Sequence, residues 1–472
     1  METGNFMNPI KTKLVATVGP ASDNEEVLSK LIDNGVNVFR LNFSHGTLQT
    51  HATALQRIRR IAGEKNAIVA VMGDLGGPKI RVGQVIGDKV ELRPDQTVRF
   101  SRGPVEGNAE LLSSNYPALI DDVQPGERLL IDDGNILLRA DYKQDDFLVC
   151  KCEVGGTVSS HKGINLPDTD ISAPALTEKD RRDLAWSIDN ELDFVALSFV
   201  RKPSDLEELR NILEKQNSKI QIVSKIEKPE ALQQIEKLIE LSDVVLVARG
   251  DLGVEMDVAR VPLIQKEIAL HCRRLGKPVI IATQMLQSMV NSQVATRAEV
   301  SDVANAILDY ADAVMLSAET AIGKYPVSAV KTMRSIASRT ESFKHRYYAE
   351  PEPNLQTSFP VATAMAHGGT QVATRLEAPL IAVWTVQGDA PRLLSKHRGK
   401  PPIIALAQDE KVCRQMSIFY GVIPDRLEQA RDIEQMLQEL DEVLLEKQWA
   451  RQGDRIVVLG DIRPDIPGEI DM

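Results

Sequence analysis

The chain has 472 residues, and 56 Lys+Arg against 67 Asp+Glu leave a formal charge of −11, with 43% hydrophobic and 26% charged residues. That balance excludes a disordered tail and a mini-protein, and at roughly 150 residues per domain it predicts two to four domains. An acidic chain of pI near 5.3 is a poor general polyanion binder, so nucleic acid and anionic membrane are excluded as expected partners, and a phosphorylated ligand must meet a local basic pocket or a metal ion.

The first ten residues lack an apolar h-region and no apolar run reaches membrane-spanning length, so the expected location is cytoplasmic. Short β-branched runs at 12–19, 36–43 and 67–74 then alternate with helical patterns. Two capping boxes are expected, Ser22-Asp-Asn-Glu25 and Thr296-Arg-Ala-Glu299. After the third strand the rhythm breaks: 78–174 is rich in Val, Gly, Asp and Pro, with turn signals at Gly87-Asp88, Pro125-Gly126 and Asp133-Gly134, and reads as an inserted β domain hinged near Pro78 and Pro174. The alternation resumes with strands at 194–200, 220–226, 244–249, 278–283 and 313–317. Eight such strands, apolar on both faces and separated mostly by helices, predict an α/β fold, a (β/α)₈ TIM barrel over 1–77 and 175–345. The insert is expected as a β-barrel lid over the C-terminal mouth, where barrel enzymes keep their chemistry. A linker near 346–353 leads to a C-terminal α/β, Rossmann-like domain over 346–472, with strands near 380–385, 403–407 and 455–459. Cys150, Cys152, Cys272 and Cys413 are few and unevenly spaced, as reduced thiols are, and the Cys150/Cys152 pair reads as strand packing.

Polar residues gather at the strand ends, where a purely structural barrel does not need them. The second strand ends Arg40-Leu-Asn-Phe-Ser-His-Gly46, whose period of two sets Arg40, Asn42 and Ser44 on one face. The third ends Asp74-Leu-Gly-Gly-Pro-Lys-Ile-Arg81, the fifth Ser224-Lys-Ile-Glu227, the sixth Ala248-Arg-Gly-Asp-Leu-Gly-Val-Glu255, the seventh Ala282-Thr-Gln-Met285 and the eighth Met315-Leu-Ser-Ala-Glu-Thr320. Phosphoryl transfer needs oxygen ligands for a divalent ion, fixed cations around the moving PO₃ and amide donors for other anionic groups. Glu227 and Asp251 supply the first, suited to Mg²⁺ or Mn²⁺; Arg40 and Lys225 supply the second; the turn at Arg249-Gly-Asp251 offers the third.

Together these motifs closely resemble pyruvate kinase across the whole barrel, with the insert and last domain in the same order. The resemblance implies phosphate transfer from phosphoenolpyruvate to ADP, giving pyruvate and ATP, and a homotetramer. Position by position, it implies that Lys225 is the catalytic lysine, that Glu227 and Asp251 hold Mg²⁺ (or Mn²⁺) and that Arg40 binds the transferring phosphate. Gly250 and Asp251 would help bind substrate, and Thr283 would meet its carboxylate and help deliver a proton to the enolate through water. Ser317 and Glu319 would lie in the proton path, and Asn42, His45, Arg81 and Lys162 would contact the nucleotide.

Two departures from the family pattern carry expectations. Many members read Asp-Thr-Lys-Gly-Pro-Glu at the third strand and need K⁺ held by the counterparts of Asn42, Ser44, Asp74 and the Leu75 carbonyl. Here the glutamate is Lys79 and the threonine is Leu75, so a lysine ammonium beside those oxygens is expected to replace the ion, and K⁺ is not expected to be required. In the last domain the effector loop reads Thr385-Val-Gln-Gly-Asp-Ala-Pro-Arg392, where Asp389 repels phosphate and only Thr385 offers a hydroxyl, although Arg392, Lys396 and Arg398 are near. Nor does Gly460-Asp-Ile-Arg-Pro-Asp465 supply a Gly/Ser-rich second loop. Strong activation by fructose 1,6-bisphosphate is not expected, which leaves a sugar monophosphate or AMP open as effector.

Bland readings stand beside these: Arg40 as a partner of Asp74 alone, His45 as a cap of the next turn, Ser317 and Glu319 as a hydrogen-bonded pair. Two other functions also compete. An enolate-forming lyase, aldolase or carboxylase explains the metal and Lys225 but neither the lid bearing Lys162 nor the third domain. A regulatory barrel that has lost turnover would show degenerate catalytic positions, and none is present.

Overall fold

The computed structural model describes residues 10–348, 351, 353–427 and 433–460. Eight parallel strands, Lys13–Thr17, Val36–Asn42, Ala70–Asp74, Phe194–Leu197, Gln221–Ile226, Val244–Ala248, Val279–Ala282 and Ala313–Leu316, close into a barrel in which the eighth pairs with the first. The closure follows from side-chain parity. Val15, Val38, Met72, Ala196, Val223, Leu246, Ile280 and Met315 fall in one buried cluster. Their strand neighbours Leu14, Phe39, Val71, Val195, Ile222, Val245, Ile281 and Val314 pack in a second, with the helices. Strands apolar on both faces therefore separate a barrel interior from a helix-covered exterior. Extended two or more residues along the interior row, the same parity reaches Thr17, Arg40, Asp74, Ser198, Lys225 and Ser317. The polar mouth is thus the top layer of the barrel interior.

Helix ends are fixed locally. The Thr296–Glu299 box forms at the start of the helix Arg297–Leu308. The expected Ser22 box does not: the helix Glu25–Asp33 is capped by Asn24, whose side chain accepts from the Val27 N–H, while Ser22 Oγ takes the Gly19 N–H at 3.3 Å. Asn is as good a cap as Ser, and it stands directly before the first helical residue.

Between the third and fourth strands lies the insert. Its six-stranded sheet runs Ile164–Asn165, Arg128–Ile131, Ile136–Gln144, Phe147–Val154, Thr97–Ser101, Leu111–Ser113, and a ladder joins Lys89–Leu92 to Gly156–Ser159. Both curl about one core that includes Phe100, Leu138, Leu148, Cys150, Cys152 and Val158. The turns at Gly87, Gly126 and Gly134 have φ of 64°, 91° and 86°, which is why glycine stands there.

The C-terminal unit is a four-stranded parallel sheet ordered Val422–Arg426, Ile403–Ala407, Ile381–Trp384, Val457–Leu459. Val422–Arg426 is not evident in the sequence because Pro424 and two charged residues interrupt it. Proline is tolerated there because the strand is an edge. The unit docks under the barrel, away from the mouth. Asp312, at the foot of the eighth strand, accepts from the Val279 N–H and is held by Lys396 at 2.8 and 2.9 Å and by Arg398 at 3.2 Å. Arg414 reaches Asp193 at 2.7 Å, and Lys13 donates to the Val422 carbonyl. Lys396 and Arg398, expected near an effector loop, are instead buried in this seam, and Arg392 pairs with Asp389 at 2.5 Å. The loop at 461–465 lies outside the described residues. All four cysteines are free and buried. Among the described residues, no helix is long and apolar enough to cross a membrane.

Candidate active site

Asp74 sits at the centre of the mouth. Its carboxylate takes Arg40 Nε at 2.6 Å and faces Lys225 Nζ at 3.3 Å, while Arg40 also donates to Thr17 Oγ1 at 3.0 Å. Lys225 in turn reaches Glu227 Oε1 at 2.9 Å and Ser198 Oγ at 2.7 Å. The other Glu227 oxygen accepts the Phe199 N–H at 2.8 Å. Arg40, Asp74, Lys225 and Glu227 are all buried.

Burial alone would neutralise Lys225, but Asp74 and Glu227 outweigh it and hold the ammonium above its ordinary range. Burial likewise works against the charge of Asp74, and Lys225 with Arg40 overcome it, leaving its carboxyl below the usual carboxylate range. Glu227 goes the other way: burial, reinforced by the nearby Asp251 charge, raises it against the pull of Lys225. Two cations thus face three carboxylates, with Glu227 and Asp251 repelling each other. Asp251 is half-buried and has no ion-pair partner among the described residues. That is donor chemistry suited to a hard divalent ion: two neighbouring carboxylates, of which Glu227 shares Lys225 with Asp74 and Asp251 has no cation of its own. No group of three or more His, Cys, Asp or Glu placed to hold a metal ion occurs among the described residues.

Thr283 follows the seventh strand with φ 67°, a region that costs a β-branched residue about 1–3 kcal/mol. Its hydroxyl donates to the Ala282 carbonyl and accepts the Gly250 N–H at 2.7 Å, so that amide is engaged rather than free. Arg249 faces away, bonded to Asp302, the Thr283 carbonyl and Met285. It braces the turn that presents Gly250 and Asp251. Glu319 is buried, and each of its oxygens accepts one N–H, from Leu286 and Ser317. It joins the seventh and eighth strand ends rather than pairing with the Ser317 hydroxyl.

The other positions stand further out. Asn42 accepts the Ser44 N–H; Ser44 and His45 are exposed, and the His45 carbonyl contacts His51 Nε2 at 2.9 Å. In the insert, Arg81 donates to the His161 carbonyl, and Lys162 pairs with Asp132 at 2.5 Å. The Lys79 ammonium makes no ion pair among the described residues. The cations against Asp74 are Arg40 and Lys225, so the expected ammonium beside those oxygens is not seen. The Leu75 carbonyl accepts from Ser198 Oγ at 2.7 Å.

Ser198, Thr17 and Phe199 are the site residues the sequence does not single out. The fourth strand carries no charge at its end, and only inward parity with Ala196 points to Ser198. A cavity of about 700 Å³ lies elsewhere, between the barrel foot and the C-terminal unit, lined by Lys11, Glu341, His345 and Lys400 among others. The buried charge cluster, not cavity size, marks the mouth as the site of chemistry.

Two family models match: the pyruvate kinase barrel domain over residues 10–330 and the pyruvate kinase alpha/beta domain over 363–472. Pyruvate kinase 2 of Synechocystis sp. is 42% identical over 469 residues, spanning 98% of this chain and 78% of the relative. The Clostridium perfringens pyruvate kinase is 38% identical, with 98% of each chain covered. Among solved structures, a pyruvate kinase from Cryptosporidium parvum superposes with a TM-score of 0.91 at 35% identity, covering 98% of this chain and 95% of that one.

Proposed function

The chain belongs to the pyruvate kinase family, whose reaction takes phosphoenolpyruvate and ADP, and on that premise we propose how its own residues carry the transfer and with which ions. The single observation behind the reading is the buried Arg40–Asp74–Lys225–Glu227 cluster at the barrel mouth. Arg40, held by Asp74 and Thr17, keeps its remaining guanidinium donors for the phosphate. Lys225, kept charged by Asp74 and Glu227, stabilises the enolate oxygen as its bond to phosphorus breaks and the PO₃ passes to a terminal ADP oxygen. Glu227 and Asp251 hold Mg²⁺ or Mn²⁺, which when bound supplies positive charge to the phosphate and enolate oxygens. Thr283 fixes the Gly250 turn against the substrate carboxylate and, with Ser317, orders the water that protonates the enolate carbon. Glu319 keeps the two strand ends in register. Arg81 and Lys162 bring nucleotide contacts when the insert closes over the mouth, with Asn42 and His45 on the barrel side.

The sequence change, Lys79 for the usual glutamate and Leu75 for a threonine, is what supports turnover without K⁺; the cations beside Asp74 are Arg40 and Lys225 rather than Lys79. Activity in sodium-free, potassium-free Tris or tetramethylammonium buffer should match that with K⁺; a small residual fraction would overturn this part. Withdrawal of Lys396 and Arg398 into the seam, with Arg392 held by Asp389, supports the absence of strong fructose 1,6-bisphosphate activation. A large fall in half-saturating phosphoenolpyruvate on adding it would refute that. A cytoplasmic homotetramer completes the reading, with a sugar monophosphate or AMP left open as effector. The lyase alternative is tested by the same assay, since ATP formed from ADP in dependence on phosphoenolpyruvate is the kinase's product and not the lyase's.

A further inference from the structure

The helix Arg249–Glu255 begins with the residues assigned above to substrate and metal and ends on a carboxylate that the reaction does not use. Glu255 is buried. Its Oε1 accepts from Lys228 Nζ at 2.6 Å and from Asn165 Nδ2 at 2.8 Å, and its Oε2 is buried without a partner. Lys228, equally buried, directly follows Glu227, whereas Asn165 belongs to the insert, three residues past Lys162.

The Arg201 hydrogen bonds and a near approach at Gly134 bring the insert to the same place. Arg201, just beyond the fourth strand, donates to the carbonyls of Ile171 and Ala173. A Cβ on Gly134 would lie 3.8 Å from Val254 Cγ1, in the turn that also carries Asp132, the partner of Lys162. The insert therefore rests on the end of the helix whose start carries Asp251. A lysine alone would compensate the Glu255 charge, so the amide arriving from another unit adds direction rather than neutrality.

We infer that Lys228, Glu255 and Asn165 form a latch that fixes the pivot of the insert to this helix and so sets where Lys162 and Arg81 stand over the mouth. All three are positioning residues. The inference rests on the reading that the insert carries the nucleotide contacts. Cutting the latch leaves a smaller fraction of molecules with the insert correctly seated, and apparent ADP affinity falls by that fraction.

The test uses the full chain. Asn165→Ala should raise the KM for ADP about ten-fold, the worth of one hydrogen bond to a charged group. The KM for phosphoenolpyruvate, and the Mn²⁺ dissociation constant measured by electron paramagnetic resonance without nucleotide, should stay within about two-fold of the parent. Asn165→Asp sets two carboxylates about one ammonium and should be worse than Asn165→Ala. Adding Glu255→Gln to Asn165→Asp restores one acid and one amide beside Lys228 and should recover most of the ADP affinity. An unchanged ADP KM in Asn165→Ala, an equal rise for both substrates, or no recovery in the swap would overturn the latch. Lys162→Ala is the separate check: a parental ADP KM in that variant would sink the nucleotide assignment of the insert, and a raised one leaves the Asn165 comparisons to decide the latch by themselves.

Discussion

Lys225→Met removes one charge and keeps nearly the same volume, and the structure gives what is lost. Glu227 would keep only the Phe199 N–H, Asp74 would keep Arg40, and Ser198 would lose its strongest donor. Breaking a buried pair of this kind costs about 3–5 kcal/mol of stability, so Tm should fall by on the order of 5–10 °C. In catalysis the loss is that of a preorganised electrostatic donor, about 3–4 kcal/mol or 10²–10³-fold, as a lower bound for a full charge in a buried site. We expect kcat to drop at least about 10²–10³-fold while the KM for phosphoenolpyruvate, still gripped by Arg40, changes far less. Because Lys225 occupies Glu227 Oε1, its removal should leave Mn²⁺ binding intact or tighter. A coupled ATP-forming assay beside a Mn²⁺ titration reads all three quantities. A kcat within ten-fold of the parent, or Mn²⁺ affinity lost in step with kcat, would refute the assignment.

Thr283→Gly relieves a strained φ of 67° and deletes the hydroxyl on the Gly250 N–H, two effects of about 1 kcal/mol each and opposite sign. Its Tm should shift by less than about 3 °C while kcat falls at least about 100-fold; a large Tm loss would mean the residue is merely structural. Asp312→Asn leaves Lys396 and Arg398 without their shared carboxylate in the seam, and should cost about 3–5 kcal/mol in thermal or urea unfolding, with near-parental activity at low temperature. Burial, helped by His367 and Arg273, pushes His397 down to about 4. The unfolded chain takes up that proton from about pH 6.5 downward and the folded chain does not, so stability present above 6.5 is lost as pH falls toward 4, by at most about 1.4 kcal/mol per unit. In His397→Leu the unfolding midpoint should therefore fall less between pH 7 and 5 than in the parent, and an equal fall would show that the imidazole does not carry the effect.

The barrel is legible in the chain because strands buried on both faces leave near-continuous apolar runs, and the polar residues that end them stand out against that background. Lys225 and Glu227 are the clearest case, two charges at the end of a buried strand. Ser198 is harder to read, as a neutral residue in Leu-Ser-Phe-Val gives no contrast, and its part emerges only when barrel closure sets it against Lys225 and Asp74. Lys396 and Arg398 mislead for a related reason. Nearness in sequence sets them beside the effector loop, while the docking that turns both toward Asp312 is a long-range contact without a local signal. The same holds for Glu255 and Asn165, which are 90 residues apart and meet only because the insert folds back onto the barrel.

Crystals of the chain grown with Mn²⁺ and phosphoenolpyruvate, with data collected at the manganese absorption edge, locate metal and phosphate together. The account predicts an anomalous peak between the carboxylates of Glu227 and Asp251, with the phosphate oxygens in contact with the Arg40 guanidinium and the bridging oxygen facing Lys225 Nζ. A peak elsewhere, or a phosphate bound beyond reach of both cations, would contradict it.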